Sequence, residues 1–231
     1  MGKRIISQAR GKGSLTYRVR RKAYSCRIAF PQSAQGDAEI ISLIHSAGHS
    51  APLMKLLNKD QVFYLPAFNN AFVGQKISFS GEAKTGNILH LKDIPLAAEI
   101  YNIENNPRDG GKFMRAAGTA AVVSKRVGGN VLIAMPNKKE ISLNENCRAV
   151  VGRIAGSGRA LKPFVKAGRK HYLMKARNKL WPRTSAIKTN AIDHPFGSGR
   201  GKRAKPKIAK RNAPPGRKVG HLRPRRTGWT R

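Results

Sequence analysis

Asp193 and His194 come nearest to a catalytic pair in this chain, because a carboxylate beside an imidazole is what general-base chemistry uses to orient a proton acceptor. Asp193 is also the one acidic residue between positions 146 and 231. Pro195 argues against the pair: it drives the residue before it into extended backbone, where neighbouring side chains point to opposite sides. Asp193 is then badly placed to orient the ring of His194. An enzyme with His194 as general base therefore rests on the loop setting beside Gly197, Gly199 and Gly201 alone.

Other chemical spacings are weaker. His45 and His49 have a spacing that grips a metal from one helix face, but they sit in HSAGHS with no third ligand near, and loop histidines are the expectation. Cys26 and Cys147 stand alone, which excludes a disulfide framework or a four-thiolate zinc site and makes each a small buried apolar residue. GRIAGSGR, from Gly152 to Arg159, lacks the Gly-Lys-Ser/Thr ending of a P-loop, so its backbone reads as a nest for an RNA phosphate. There is no Gly-x-Ser-x-Gly elbow, and no carboxylates stand paired at a workable spacing. No catalytic residue, cofactor, metal or small-molecule substrate is expected.

Charge points elsewhere. The 231 residues carry 46 Lys or Arg against 11 Asp or Glu, a formal charge of +35 that would repel itself in a compact body without a polyanion. Positions 1 to 36 hold nine basic residues and no acid: Lys3, Arg4, Arg10, Lys12, Arg18, Arg20, Arg21, Lys22 and Arg27. Positions 37 to 105 hold five basic residues against seven acidic, and 106 to 145 hold seven against three. From 146 onward 25 basic residues face one acid. No apolar run is long enough to span a bilayer, and the basic start is too rich in glycine to lie on one as an amphipathic helix, so nucleic acid is favoured over a membrane.

The elements that must carry these residues are mostly strands. AEIISLIH, PLMKLL, QVFYL, QKISFS, NILHL and AAEIYNI follow one another between turn residues, with the alternation of half-buried strands. Their number suits a closed barrel of the OB type over residues 37–106. TAAVVSK, RVGGN and VLIAM read as a hairpin turning on Gly128 and Gly129, and PNKKEISL and CRAVVGRI add two strands. With a short basic helix over Leu161–Arg177, one face apolar through Phe164, Val165, Tyr172 and Leu173, these make an SH3-like barrel over 107–180.

A basic N-terminal extension, 1–36, and a basic tail, 181–231, complete the chain. From Gly199 the tail has too little apolar surface to offset its ordering entropy, so it is expected to order only on phosphates. Glycines at 197, 199 and 201 let backbone pass close to other backbone, with RNA the expected neighbour. Pro214-Pro215-Gly216 fits a type II turn, and Phe196 and Trp229 offer rings on which a base could stack.

The predicted RNA contacts are thus the nine N-terminal cations, then Arg153, Arg159, Lys162, Lys166, Arg169, Lys170, Lys175, Arg177 and Arg183 around the helix. In the tail they are His194, Gly197, Gly199, Arg200, Lys202, Arg203, Lys205, Lys207, Lys210, Arg211, Arg217, Lys218, Arg225 and Arg226.

AGTAAVVSK with its GGN hairpin (117–130), CRAVVGRIAG (147–156), KAGRKHYLMKARNKLWPR (166–183), DHPFGSG (193–199) and RNAPPGRKVG (211–220) together resemble the ribosomal protein L-two family of the large ribosomal subunit, in its archaeal form. The resemblance covers essentially the whole length. It implies an OB domain followed by an SH3-like barrel with basic extensions. It also implies binding to large-subunit rRNA beside neighbouring ribosomal proteins in the cytoplasm, a role in subunit assembly and association, and a C-terminal extension near the peptidyl-transferase centre. The family's much-discussed histidine falls on His194, for which positioning or hydrogen bonding to RNA is the preferred role. The family usually shows three glycines where this chain has Gly197-Ser198-Gly199, and Met-Asn where it has Thr189-Asn190. A protein that compacts DNA without sequence preference is the remaining alternative.

Overall fold

The computed structural model describes residues 2–33, 36–197 and 208–223. Two compact units are formed, one by Met1–Val19 with Asn178–Arg231 and the other by Arg20–Arg177.

In the Arg20–Arg177 unit the apolar alternation becomes two antiparallel sheets. The first uses β1 (Asp37–Ile44), β2 (Leu53–Asn58), β3 (Gln61–Pro66) and β4 (Lys76–Ser78), in the order β3-β2-β1-β4. In β1, Ala38 and Ile40 are buried while their neighbours face out, so the period of two places one face on the core. The second sheet uses β5 (Ile88–His90), β6 (Glu99–Tyr101), β7 (Ala121–Val127), β8 (Asn130–Ala134), β9 (Glu140–Asn144) and β10 (Arg148–Val151), in the order β5-β10-β6-β7-β8-β9. The fold is mainly β, an OB-type barrel followed by an SH3-like one, as the strand spacing led us to expect. β5 and β6 lie within residues 37–106, yet β10 joins them to the second sheet, pairing Val150 with both Ile88 and Tyr101. The β7–β8 hairpin turns on Gly128 and Gly129, at φ 52° and 77°, the positive angles that a Cβ would make costly.

Each sheet has its own core. Ile40, Leu53, Leu56, Leu65 and Ile77 are fully buried beneath the first; Ile100, Val123, Val131, Ile133 and Ala149 beneath the second. Tyr101 is fully buried, donates its hydroxyl to the Pro66 carbonyl at 3.1 Å, and burial raises its pKa. Cys147 is buried, as expected; burial first, then the charges of Glu104 and Asp109, push its thiol up to about 11. Cys26 departs from expectation: it is only half-buried, packed against the edge of the first core. Iodoacetamide at mildly alkaline pH should therefore alkylate Cys26 and leave Cys147 untouched until denaturant is added; mass spectrometry showing equal rates for both would count against this packing.

The helix is shorter than predicted. It runs from Ala167 to Ala176 (labelled α2, after α1 at Ile6–Gly11), because the chain is still extended at Lys166, with φ −124° and ψ 142°, and enters the helix only after it. Most of its predicted apolar face is not packed either: Phe164, Val165 and Tyr172 are 50%, 77% and 71% exposed, Leu173 is half-buried, and no residue of α2 is fully buried. No helix among the described residues is long and apolar enough to cross a membrane.

Within the other unit, the two chain ends are tied to each other. Lys3 N–H donates to the Ile192 carbonyl at 2.8 Å, Arg10 donates to the Asn178 carbonyl at 2.5 Å, and Asn178 donates its amide to the Tyr17 carbonyl. β11 (Ile208–Ala209) pairs in parallel with β12 (His221–Leu222). Pro214–Arg217 is the predicted turn, closed by Arg217 N–H to the Pro214 carbonyl at 3.0 Å with Gly216 at φ 87°.

Candidate nucleic-acid interface

The terminal unit gathers predicted contacts that lie far apart in sequence. A cavity of about 610 Å³ is lined by Lys3, Arg4 and Gln8 from the start of the chain, by His194 and Gly197, and by Arg217 from beyond the tail turn. Among the described residues no carboxylate lines it. Lys3 and Arg4 are exposed just before α1, while Ile5, the extended residue that opens the helix, is buried and anchors them. Arg217 closes the Pro-Pro-Gly turn, in which the positive φ of Gly216, 87°, is what favours glycine. Three cations around one polar recess form a site that an RNA phosphate fits by charge and by hydrogen-bond donors.

His194 is half-buried, and its Nδ1 accepts the Phe196 N–H at 3.0 Å. With Nδ1 an acceptor, the neutral ring carries its proton on Nε2 and is a donor there. No hydrogen bond joins its ring to the Asp193 carboxylate among the described residues, so the orienting partner that a general base needs is a backbone amide two residues on. The ring also lies 5.1 Å from that of Phe196. Gly197 is buried, and a Cβ at this position would collide with the Asn190 carbonyl oxygen and come within 2.7 Å of that of Thr189. The close backbone neighbour that the glycine admits is therefore the chain's own turn.

The remaining predicted contacts divide by unit. In the terminal unit Lys12, Arg18, Arg183, Lys210, Arg211 and Lys218 are exposed and Arg10 is half-buried. In the other, Arg20, Arg21, Lys22, Arg27, Arg153, Arg159, Lys162, Lys166, Arg169 and Lys175 are exposed, while Lys170 and Arg177 are half-buried. Arg153 is also ion-paired with Glu99, with Nε 3.2 Å from its carboxylate. Gly199, Arg200, Lys202, Arg203, Lys205, Lys207, Arg225 and Arg226, and the ring of Trp229, lie outside the described residues.

The phosphate nest read into Gly152–Arg159 does not form at its start. The N–H groups of Gly152, Ile154 and Ala155 are already given to Glu99, Thr119 and Ala67 at 2.7, 3.4 and 2.9 Å, because this segment continues the β pairing through the Phe68–Ile154 bridge. His45 is exposed, whereas His49 is half-buried with Nδ1 2.8 Å from Ser46 Oγ, and burial, then Arg115 and Arg177, lower its pKa. Among the described residues no three His, Cys, Asp or Glu side chains are grouped to hold a metal.

Sequence reasoning missed two devices. Asn178, at φ 50°, ties the two stretches of the terminal unit together through the Tyr17 carbonyl, and the residue type was the available signal, since Asn adopts left-handed backbone readily. The other is the Glu104–Arg148 pair. Glu104 is fully buried; its carboxylate accepts the Arg148 N–H at 2.8 Å, Arg148 Nε and NH2 at 3.2 and 2.9 Å, and the Arg108 and Gly110 N–H groups at 3.2 Å each. Arg148 also donates to the Pro31 carbonyl at 2.8 Å and lies 5.2 Å from the Phe30 ring centre.

Comparison with known proteins adds the last evidence. The family described as Ribosomal Proteins L2, C-terminal domain, matches residues 84–216. The large ribosomal subunit protein uL2 of Archaeoglobus fulgidus is 44% identical over 240 aligned positions, covering all of both chains. The proteins of the same name from Methanococcoides burtonii and Hyperthermus butylicus are 42% and 40% identical, each over 99% of this chain and 99% and 98% of their own.

Proposed function

The chain belongs to the ribosomal protein L2 family, and from that premise we propose that it is a structural constituent of the large ribosomal subunit, bound to rRNA and to neighbouring ribosomal proteins. The observation that carries this reading is the placement of charge. The terminal unit, 1–19 with 178–231, holds 21 of the 46 basic residues and one acid, and Lys3, Arg4 and Arg217 line a recess with no carboxylate among its described residues. A surface so charged is stable only beside a polyanion, and each phosphate it neutralises releases counterions. The β-rich body, residues 37–180, serves in this reading as the rigid mount, and the ends, 1–36 and 181–231, make the deeper RNA contacts. The protein supports subunit assembly and association on cytoplasmic ribosomes, its C-terminal extension lying toward the peptidyl-transferase centre. His194 positions RNA by donating from Nε2 and performs no chemical step, since the Phe196 amide occupies the nitrogen that a carboxylate would have to orient.

The test is the salt dependence of binding. The log of affinity for large-subunit rRNA should fall against log salt by about 0.7 to 0.9 per phosphate neutralised, giving a slope of roughly −5 or steeper. A slope near zero would overturn the reading. Equal affinity for duplex DNA at moderate salt would instead favour a DNA-compacting protein.

A further inference from the structure

A second recess, of about 940 Å³, opens in the Arg20–Arg177 unit, between the end of the N-terminal extension at Gln32, Ser33 and Gly36 and residues of the β-rich body. We propose that this cleft binds one unstacked nucleotide of an RNA strand, its base on the Phe79 ring and its phosphate on Arg108. The proposal rests on the RNA-binding reading and deepens it by naming a nucleotide pocket in the body of the protein.

Four observations meet here. Phe79 lines the cleft and is held in place: it is half-buried against the first core, its ring 6.1 Å from that of Phe63. A fixed ring is a stacking platform for any base. His90 and two asparagines supply polar groups beside it. His90 Nδ1 lies 2.9 Å from the Asn146 carbonyl, which can only accept, so Nδ1 carries the proton and the neutral ring keeps Nε2 as an acceptor. Asn144 uses its side-chain oxygen on the Asn146 N–H at 2.9 Å, which leaves its amide group as a donor. Donors and acceptors side by side suit the edge of a base.

The third observation is Arg108. Its backbone is left-handed, at φ 67°, a conformation unfavourable for arginine that persists only where its surroundings enforce it. Here they do: Glu104 accepts the Arg108 N–H at 3.2 Å, and Asp109 accepts those of Asn105, Asn106 and Gly111 at 3.0, 3.2 and 2.9 Å. Two carboxylates spend themselves on backbone to set this loop, and the Arg108 side chain stays exposed at the cleft. Fourth, no carboxylate among the described residues lines the cleft, although residues 37–105 carry seven acids against five cations. Ring, amides and unopposed guanidinium are the parts that recognise a nucleotide.

The full chain assembled on protein-free large-subunit rRNA, irradiated with short-wave ultraviolet and digested, tests this. Mass spectrometry should find a nucleotide adduct on the peptides carrying Phe79 or Asn144–Asn146, its yield falling about fivefold or more in Phe79→Leu, the low end of what one base–ring stack contributes. Arg108→Gln, a change at an exposed side chain, should reduce the salt slope by about 0.7 to 0.9, one phosphate's worth. Adducts in the terminal unit with none at the cleft would overturn the pocket and leave rRNA binding standing; adducts nowhere would sink both. An adduct unaffected by both substitutions would also overturn it. So would its displacement by excess free guanosine monophosphate, which would make the ligand a small molecule.

Discussion

Replacing Glu104 with alanine is expected to destabilise the Arg20–Arg177 unit by about 3–5 kcal/mol, the usual cost of breaking a buried ion pair from one side. The carboxylate is fully buried, and Arg148, only 9% exposed, would keep its charge with the Pro31 carbonyl and the Phe30 ring as its remaining partners. The Arg108 and Gly110 N–H groups would lose their acceptor as well, so the cost is spread over the 105–110 loop. Thermal unfolding followed by circular dichroism should show a fall of about 10 °C, at roughly 2–4 °C per kcal/mol for a unit of this size. The double variant Glu104→Leu with Arg148→Met should recover much of the loss, because a buried pair replaced by apolar groups of similar volume is often neutral. A single variant melting within about 2 °C of the parent would show that the pair holds nothing together.

Deleting residues 199–231 is the second large perturbation, for it removes 13 of the 46 basic residues and no acid. If about half of those cations contact phosphate, affinity for large-subunit rRNA should drop by about three orders of magnitude or more near physiological salt, and the slope of log affinity against log salt should become shallower by roughly 4 to 6. The deletion also takes β11, β12 and the Pro214–Arg217 turn, so the recess holding Lys3, Arg4 and His194 loses a wall. Both sheets lie between Asp37 and Val151, and their thermal transition should not move. Filter binding across a salt series, beside a melting curve, reads both effects at once. An unchanged slope would mean that the tail's cations face water in the complex.

How far such expectations reach from sequence can be seen at particular residues. The alternation around Ile77 and Phe79 announced β4, and Gly128-Gly129 announced the hairpin, because both are conditions on adjacent backbone. Pro214-Pro215-Gly216 announced its turn for the same reason. The helix was read six residues too early, since Phe164 and Val165 have helical spacing to Tyr172, yet the backbone stays extended as far as Lys166. CRAVVGRI read as a strand with no role for Arg148, and nothing near that residue in the chain names Glu104, 44 positions back.

What the amino-acid order determined by itself was local or additive: where strands and turns fall, and that the ends carry the charge. Periodicity, turn angles and net charge depend on residues within a few bonds of one another, or on counting alone. Only the tertiary structure decided that β10 draws β5 and β6 into the second sheet, that Glu104 faces Arg148, and that Lys3, His194 and Arg217 share one recess. Those meetings are long-range contacts whose loop-closure cost is offset by packing and hydrogen bonding summed over the whole unit. No short spacing in a chain encodes that sum.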